Sequence, residues 1–470
     1  MLTLGEVLEA TGGTIHGAVS PRLDQRFSSV AIDSRQVSPG ALFVALKGQK
    51  HDGHTFVAQS LGRGALAAIV ERIPADCVWA QTPGADGPPL VVVPSTQRAL
   101  EQMARYALDR HPNLDVVGIT GSLGKTTTKE VVAGVVACKR QVLKSEGNLN
   151  SEIGLPLTIL NGLARGHEVA VLEMAMYALG DIRLLARLAR PRIGVVTAVL
   201  PVHLERLGTI ERIKQAKQEL VEELPADGLA VLNADDPRVL DMARASRARV
   251  VRYGVSHEAE VRAENISSEG LHGVQFDLLY DGQRQHVRLP LLGAQSVHAA
   301  LAATAVGIEE RLSLSDIAEA LHTLTPTLRL LVVDGISGSR IIDDSYNASP
   351  ESVLAALNLL HELPGRRKIA VLGDMLELGS EEEPGHRRVG TRAAHVVDLL
   401  ITYGPRSKTT AAAARAAGLR PEQVLEASTH AEILDYLSQR LRPDDDVLVK
   451  GSLAMGMSAV VRGIRATGEG

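Results

Sequence analysis

Short runs of aliphatic and β-branched residues alternate with longer amphipathic stretches along most of the chain. Residues 90–93, 116–119, 169–172, 193–199 and 228–232 are apolar runs of strand length, nearly continuous as in strands covered on both faces. Between them the apolar spacing is helical. The stretch 96–108 reads as a helix that ends before His111-Pro112-Asn113, where proline blocks continuation. The stretch 210–224 sets Ile210, Ile213, Leu220, Val221 and Leu224 on one face, and 296–308 and 315–324 read as two further helices. The same alternation returns with strands at 341–342, 369–372, 399–402 and 447–449. This strand–helix rhythm predicts an α/β protein built on doubly wound parallel sheets. None of the later strands leads into G-x-G-x-x-G, so the last region is expected to be Rossmann-like without a bound dinucleotide.

With 470 residues the chain exceeds one hydrophobic core, and three domains are expected. One boundary is placed near residue 111 and a linker at Thr325-Pro326-Thr327, giving units 1–110, 111–325 and 326–470. The turn-rich segment 82–89 is read as a loop inside the first unit. A net charge of −5 without a basic block, and only 3% aromatic residues, argue against a nucleic-acid partner. Two cysteines, Cys77 and Cys138, form no disulfide framework or metal signature and suit a reducing compartment. There is no signal-peptide pattern at the N-terminus and no bilayer-length apolar run, so a cytoplasmic protein without membrane insertion is expected.

The most specific chemistry lies in Gly121-Ser122-Leu123-Gly124-Lys125-Thr126-Thr127, between an apolar run and a helix-forming stretch. That is the setting of a phosphate-binding P-loop. Backbone amides from Gly121 onward would wrap phosphate, Lys125 would reach the β/γ-phosphates, and the Thr126 hydroxyl would ligate Mg²⁺. Glu173 follows the strand 169–172, where a carboxylate suits either Mg²⁺ or a helix start. His203 follows the next strand, as a ligand or as surface. Lys217 falls on the apolar stripe of the 210–224 helix, between Ile213 and Leu220. Two readings of Lys217 stand: its stem snorkels to solvent, or the amine is buried, neutral and able to take up CO₂ as a metal-binding carbamate. Asn148, Asn150 and Ser151 sit in a polar loop that suits phosphate, substrate or a turn. Asn233, Asp344, Asn347 and Lys450 lie at or beyond strand ends, where open parallel sheets gather ligands.

Taken in order, these segments resemble the Mur ligases of peptidoglycan synthesis. The likeness covers nearly the whole chain. It runs through Asp33-Ser34-Arg35, Asp52-Gly53-His54, GITGSLGKTTTKE, GNLNSEIGLP, HLERLGT, AKQEL and LNADDP, and is most discriminating in IIDDSYNASP and LGDMLELG. The resemblance implies a small UDP-sugar domain, a central P-loop ATPase domain and a C-terminal Rossmann-like domain. It implies ligation of D-Ala-D-Ala to UDP-MurNAc-tripeptide through an acyl phosphate, with ATP, two Mg²⁺ sites and a lysine carbamate, by a monomer. Residue by residue, it carries Lys125 and Thr126 to phosphate and Mg²⁺, Glu173 and His203 to Mg²⁺, and Lys217 to the carbamate. Asn233, Arg329 and Asp344 go to the nucleotide. Ser34, Arg35, Asp52, His54, Asn148, Asn150, Ser151, Asn347 and Lys450 go to the substrates. The chain departs from the family at Ala198, Gln295, Ser296, Ala299 and Leu453. A ligase acting on another amine or carboxylate, and a nucleotide-binding regulator without catalysis, are the alternatives.

Overall fold

The computed structural model describes residues 1–48, 50–82, 84–202, 204–293, 295–324, 331–363 and 367–466. Among these residues the strands form three sheets, drawn from residues 14–92, 115–289 and 331–450. The first contains β1 (Thr14–His16), β2 (Val30–Ala31), β3 (Leu42–Val44), β4 (Ala67–Val70) and β5 (Leu90–Val92), in the order β1-β5-β4-β3-β2. The edge strand β2 is covered from the next unit: Val30 donates to Asn161 Oδ1 at 2.7 Å and accepts from Asn161 Nδ2 at 3.0 Å. Pairing of this kind blunts an open sheet edge. Leu42, Ile69 and Val91 of this sheet share one core with Met103, Leu155, Leu172 and Leu220.

The central sheet contains β6 (Asp115–Thr120), β7 (Val142–Lys144), β8 (Val169–Glu173), β9 (Ile193–Val196), β10 (Leu229–Asn233), β11 (Arg249–Gly254), β12 (Val261–Ser268), β13 (Val274–Tyr280) and β14 (Gln283–Leu289). Its order is β14-β13-β12-β11-β10-β9-β6-β8-β7. The strands from β7 to β12 are parallel, and β12, β13 and β14 form an antiparallel extension. The chain leaves β6 for β7 and β8 on one side and for β9 and β10 on the other. β6 therefore stands at the topological switch point, where doubly wound sheets bind ligands. The helix Ile210–Glu222 lies close over this sheet, because Gly118 and Gly194 present no side chain to it. A Cβ on Gly118 would sit 3.0 Å from Leu220, and one on Gly194 would sit 3.0 Å from Leu224. Ile213, Leu220 and Val221 are buried there, as their spacing predicts.

The third sheet contains β15 (Leu331–Asp334), β16 (Arg340–Asp344), β17 (Arg367–Gly373), β18 (Leu399–Tyr403), β19 (Val424–Ala427) and β20 (Asp445–Lys450), in the order β15-β16-β20-β17-β18-β19. It is parallel apart from the antiparallel edge strand β15. Ser349 caps the helix Pro350–Glu362 and proline takes its first position. The unit touches the central one through Ser268 Oγ, which donates to Glu362 at 2.5 Å, and through Arg206, paired with Glu377 at 3.2 Å.

Two differences from expectation have clear causes. The strand expected over 193–199 stops at Val196, because residues 197–200 turn out of the ladder to hydrogen-bond the loop after β6. Strands β12 to β14 are absent from the apolar runs because polar and charged residues alternate along them, as in Val261-Arg262-Ala263-Glu264. The expected linker Thr325-Pro326-Thr327 lies outside the described residues.

Candidate active site at the strand ends

The carboxyl ends of four neighbouring strands, β8, β6, β9 and β10, deliver Glu173, Gly121, Thr197 and Asn233 to one edge of the central sheet. The loop after β6 spans Gly121 to Gly124. It is shorter than the G-x-x-x-x-G-K-T spacing, since Ile119 stands five residues before Gly124. Gly121 has φ +150° and Gly124 φ +81°, conformations costly for any other residue. The helix Lys125–Val136 begins at once and has no side-chain cap, so its first amides and the positive end of its dipole face the loop. Lys125 Nζ folds back to the Gly121 carbonyl at 2.7 Å. Ser122 is turned away from this nest: its amide donates to Ala198 O at 2.7 Å and its hydroxyl donates to Leu200 O at 3.1 Å.

Thr126 and Glu173 meet directly. The Thr126 hydroxyl donates to Glu173 Oε2 at 2.9 Å, and Asn150 Nδ2 donates to Glu173 Oε1 at 2.8 Å. Glu173 is buried, and its own amide donates to Ser145 Oγ at 3.1 Å. Lys129, four residues after Lys125 and also buried, donates to Ser145 O at 2.6 Å and pairs with Glu130 at 2.9 Å. Burial opposes ionisation of Glu130, but the Lys144 and Lys129 ammonium groups hold its carboxyl below the usual range.

Lys217 does not snorkel. It is 2% exposed, and burial drives its amine well below the usual lysine range, with the Lys125 ammonium adding repulsion. Two residues on, buried Glu219 accepts from the amides of Gly180 at 2.8 Å and Arg183 at 3.0 Å. It thereby ties the Lys217 helix to the loop and helix that follow Glu173.

Asn233 is buried. Its Nδ2 donates to Thr197 O at 2.8 Å and its Oδ1 accepts from Asp235 N at 3.0 Å, so it braces the 197–200 segment. Asp236 accepts from Val199 N at 2.7 Å. Asp235 accepts from His298 Nε2 at 2.8 Å and from the amides of Val255 and Ser256. Burial alone would raise the Asp235 carboxyl, but these hydrogen bonds hold it at about 2. A carboxyl depressed in the folded state stabilises fully above the unfolded value of about 4. That contribution fades as the pH falls from about 4 to 2. The stability lost in Asp235→Asn should therefore be largest above pH 4 and shrink toward pH 2 in acid-dependent denaturant titrations; a difference constant across that range would contradict the assignment.

Other expected site residues lie elsewhere. Asp344 and Lys450 end the neighbouring strands β16 and β20, and Lys450 Nζ donates to Asp344 Oδ2 at 2.6 Å and Asn347 O at 2.8 Å. In the first unit Ser34 is buried, while Arg35 projects into solvent and pairs with Asp33. His54 is different from expectation. Its buried ring meets Asp52 Oδ1 through Nδ1 at 2.7 Å and accepts from Glu71 N through Nε2 at 2.8 Å. Both nitrogens are used internally, so the ring bridges the Asp52 carboxylate and the Glu71 backbone amide. Ser151 likewise accepts from Gly154 N at 3.2 Å at the start of a helix, while Asn148 is exposed. Thr127 occupies the first turn of the P-loop helix. His203 and Arg329 lie outside the described residues.

Sequence reasoning did not single out Thr197, Ser145, Lys129 or Glu219. Lys129 carried a signal, being one helical turn from Lys125 and followed closely by the buried Val131 and Val132. Ser145 and Thr197 depend on where short strands end, which periodicity does not resolve.

Fold and site together define a nucleotide-using enzyme with its phosphate loop at the switch point of a parallel sheet. Family models for the Mur ligase catalytic, middle and glutamate ligase domains match residues 26–107, 119–307 and 328–453. The chain belongs to the Mur ligase family. A UDP-N-acetylmuramoyl-tripeptide–D-alanyl-D-alanine ligase of Bacillus subtilis is 33% identical over 468 residues, covering 98% of this chain and 97% of the relative. A crystal structure of MurF from Acinetobacter baumannii superposes with a TM-score of 0.85 at 28% identity, over 98% of both chains. The MurF ligase of Thermotoga maritima, in complex with ADP, gives 0.78 at 30% identity, over 93% of this chain and 96% of that one.

Proposed function

We propose that the protein uses ATP to join D-alanyl-D-alanine to UDP-MurNAc-tripeptide, as a cytoplasmic monomer with units 1–110, 111–325 and 326–470 for sugar nucleotide, ATP and the incoming amine. The observation that carries this reading is the convergence at one sheet edge of the phosphate loop, the Thr126–Glu173 pair and buried Lys217. The full-length relatives support the choice of substrates. A carboxylate oxygen of the tripeptide attacks the γ-phosphorus of ATP, giving ADP and an acyl phosphate. The amine of D-Ala-D-Ala then attacks the acyl carbon, the amide forms, and phosphate leaves with the original carboxylate oxygen.

Both reacting groups of the first step are anions, so positioning and charge neutralisation dominate. The uncapped helix start at Lys125 and the Lys125 ammonium supply fixed positive charge. Thr126 and Glu173 offer hard oxygen donors of the kind Mg²⁺ prefers, and Mg²⁺ needs few protein ligands when phosphate supplies the rest. When bound, Mg²⁺ neutralises the phosphate and carboxylate oxygens as they approach. A second Mg²⁺ site needs donors beyond Thr126 and Glu173. The Lys217 amine suits that role, since a neutral amine adds CO₂ to give a carbamate and release one proton. His203 is the other donor we place there. Asp344, Asn347 and Lys450 are assigned to the C-terminal side of the cleft, and Ser34 and Arg35 to the sugar nucleotide.

Phosphate release should need ATP, Mg²⁺, UDP-MurNAc-tripeptide and D-Ala-D-Ala together, with an amide product of the summed mass less one water. Release without the dipeptide, or none with all four, would refute this assignment. Glu173→Gln should raise the Mg²⁺ concentration for half-maximal activity about 10-fold or more, and an unchanged Mg²⁺ curve would exclude the metal role.

A further inference from the structure

Residues 197–200 run from the end of β9 against the phosphate loop, and the ligase reading makes no use of their contacts. The Thr197 hydroxyl donates to Leu123 O at 2.6 Å, with Thr120 O at 3.3 Å as a second acceptor. Ser122 closes the other end: its amide donates to Ala198 O, and its hydroxyl bridges Leu200 N and O at 2.9 and 3.1 Å. The segment is itself anchored on the end of β10, through Asn233 to Thr197 O and through Val199 N to Asp236. The fit is close, since a Cβ on Gly121 would lie 1.8 Å from Thr197 Oγ1. In a trans peptide the carbonyl and the following N–H point opposite ways. Holding Leu123 O against Thr197 therefore turns the Gly124 amide to the other side of the loop. Holding Ser122 N against Ala198 O removes that amide from phosphate binding.

We propose that Thr197, with Ser122, is a positioning residue that fixes the phosphate loop in its nucleotide-receiving conformation and ties it to the segment leading toward residue 203. This rests on the loop being the nucleotide site. At position 198 it is the backbone that meets the loop, through Ala198 O.

Thr197→Val keeps the shape and removes the donor, leaving the part-buried Leu123 O without its partner. ADP affinity measured by calorimetry, and KM for ATP, should both weaken about five- to tenfold, the scale of one lost hydrogen bond. KM for D-Ala-D-Ala should stay within about twofold, and Thr197→Ser, which keeps the hydroxyl, should restore nucleotide affinity. A role in folding alone would lower the melting temperature and leave ADP affinity unchanged, and that result overturns the proposal. If Thr197→Val does not fold, Ser122→Ala decides in the same way: weakened ADP binding supports the proposal and unchanged binding rejects it. Lys125→Met separates the two levels of the argument. Full ADP affinity in that variant would remove the nucleotide site from this loop and the proposal with it; lost affinity there beside wild-type affinity in Thr197→Val would overturn the positioning role alone.

Discussion

Lys217→Met is expected to cut ligation by at least about 100-fold while the protein stays folded, the scale on which loss of one preorganised charge acts in a dry site. The amine is buried on an apolar helix face, its burial favours the neutral form, and the charged group acting on it is the Lys125 ammonium. A neutral amine there is a poor donor for Mg²⁺, which prefers oxygen; a carbamate turns the same stem into an oxygen-bearing anion. Methionine keeps the stem and cannot take up CO₂. Activity after preparation in CO₂-free buffer should fall and return on adding bicarbonate, and the variant should show no response. Wild-type turnover in Lys217→Met would exclude the carbamate.

The second large effect is at Lys125. Lys125→Ala should lower ATP-dependent ligation by about 10²–10³ with little change in circular dichroism, because the ammonium lies beside the loop rather than in a core. Its contact with Gly121 O shows the stem already bent toward the loop, so little reorganisation is needed for it to meet phosphate. Retained ligation would refute the phosphate assignment. The repulsion between Lys125 and Lys217 also links the two positions: in Lys125→Ala, Lys217 loses the neighbour that helps to keep it neutral.

Much of this was legible in the sequence. Glycines at 121 and 124 before a lysine and a threonine pointed to the loop, because few other uses explain them; the stripe through Ile213 and Leu220 set Lys217 on the apolar face but left snorkelling and burial open, and the structure buries it. Glu173 was singled out from its place at a strand end, and the fold sets it against Thr126. The limits are physical as well. Asn233 and His54 look like ligands in sequence; in the fold their polar atoms also hold internal partners, Thr197 O for Asn233 and Asp52 and Glu71 N for His54. Whether a buried amide or imidazole faces a ligand or a carbonyl depends on partners far away in the chain, which periodicity does not reveal. Thr197 was missed because its strand ends three residues early, where the segment turns to meet the phosphate loop and the end of β10. The antiparallel strands β12 to β14 were missed because one of their faces is wet and their charges mask the apolar half.

The most direct test of the central claim follows oxygen from the tripeptide. UDP-MurNAc-tripeptide carrying ¹⁸O in its terminal carboxylate is incubated with ATP, Mg²⁺ and D-Ala-D-Ala, and the released phosphate is analysed by mass. Activation as an acyl phosphate predicts that each phosphate formed with the amide carries one carboxylate oxygen. Unlabelled phosphate alongside amide product would contradict it.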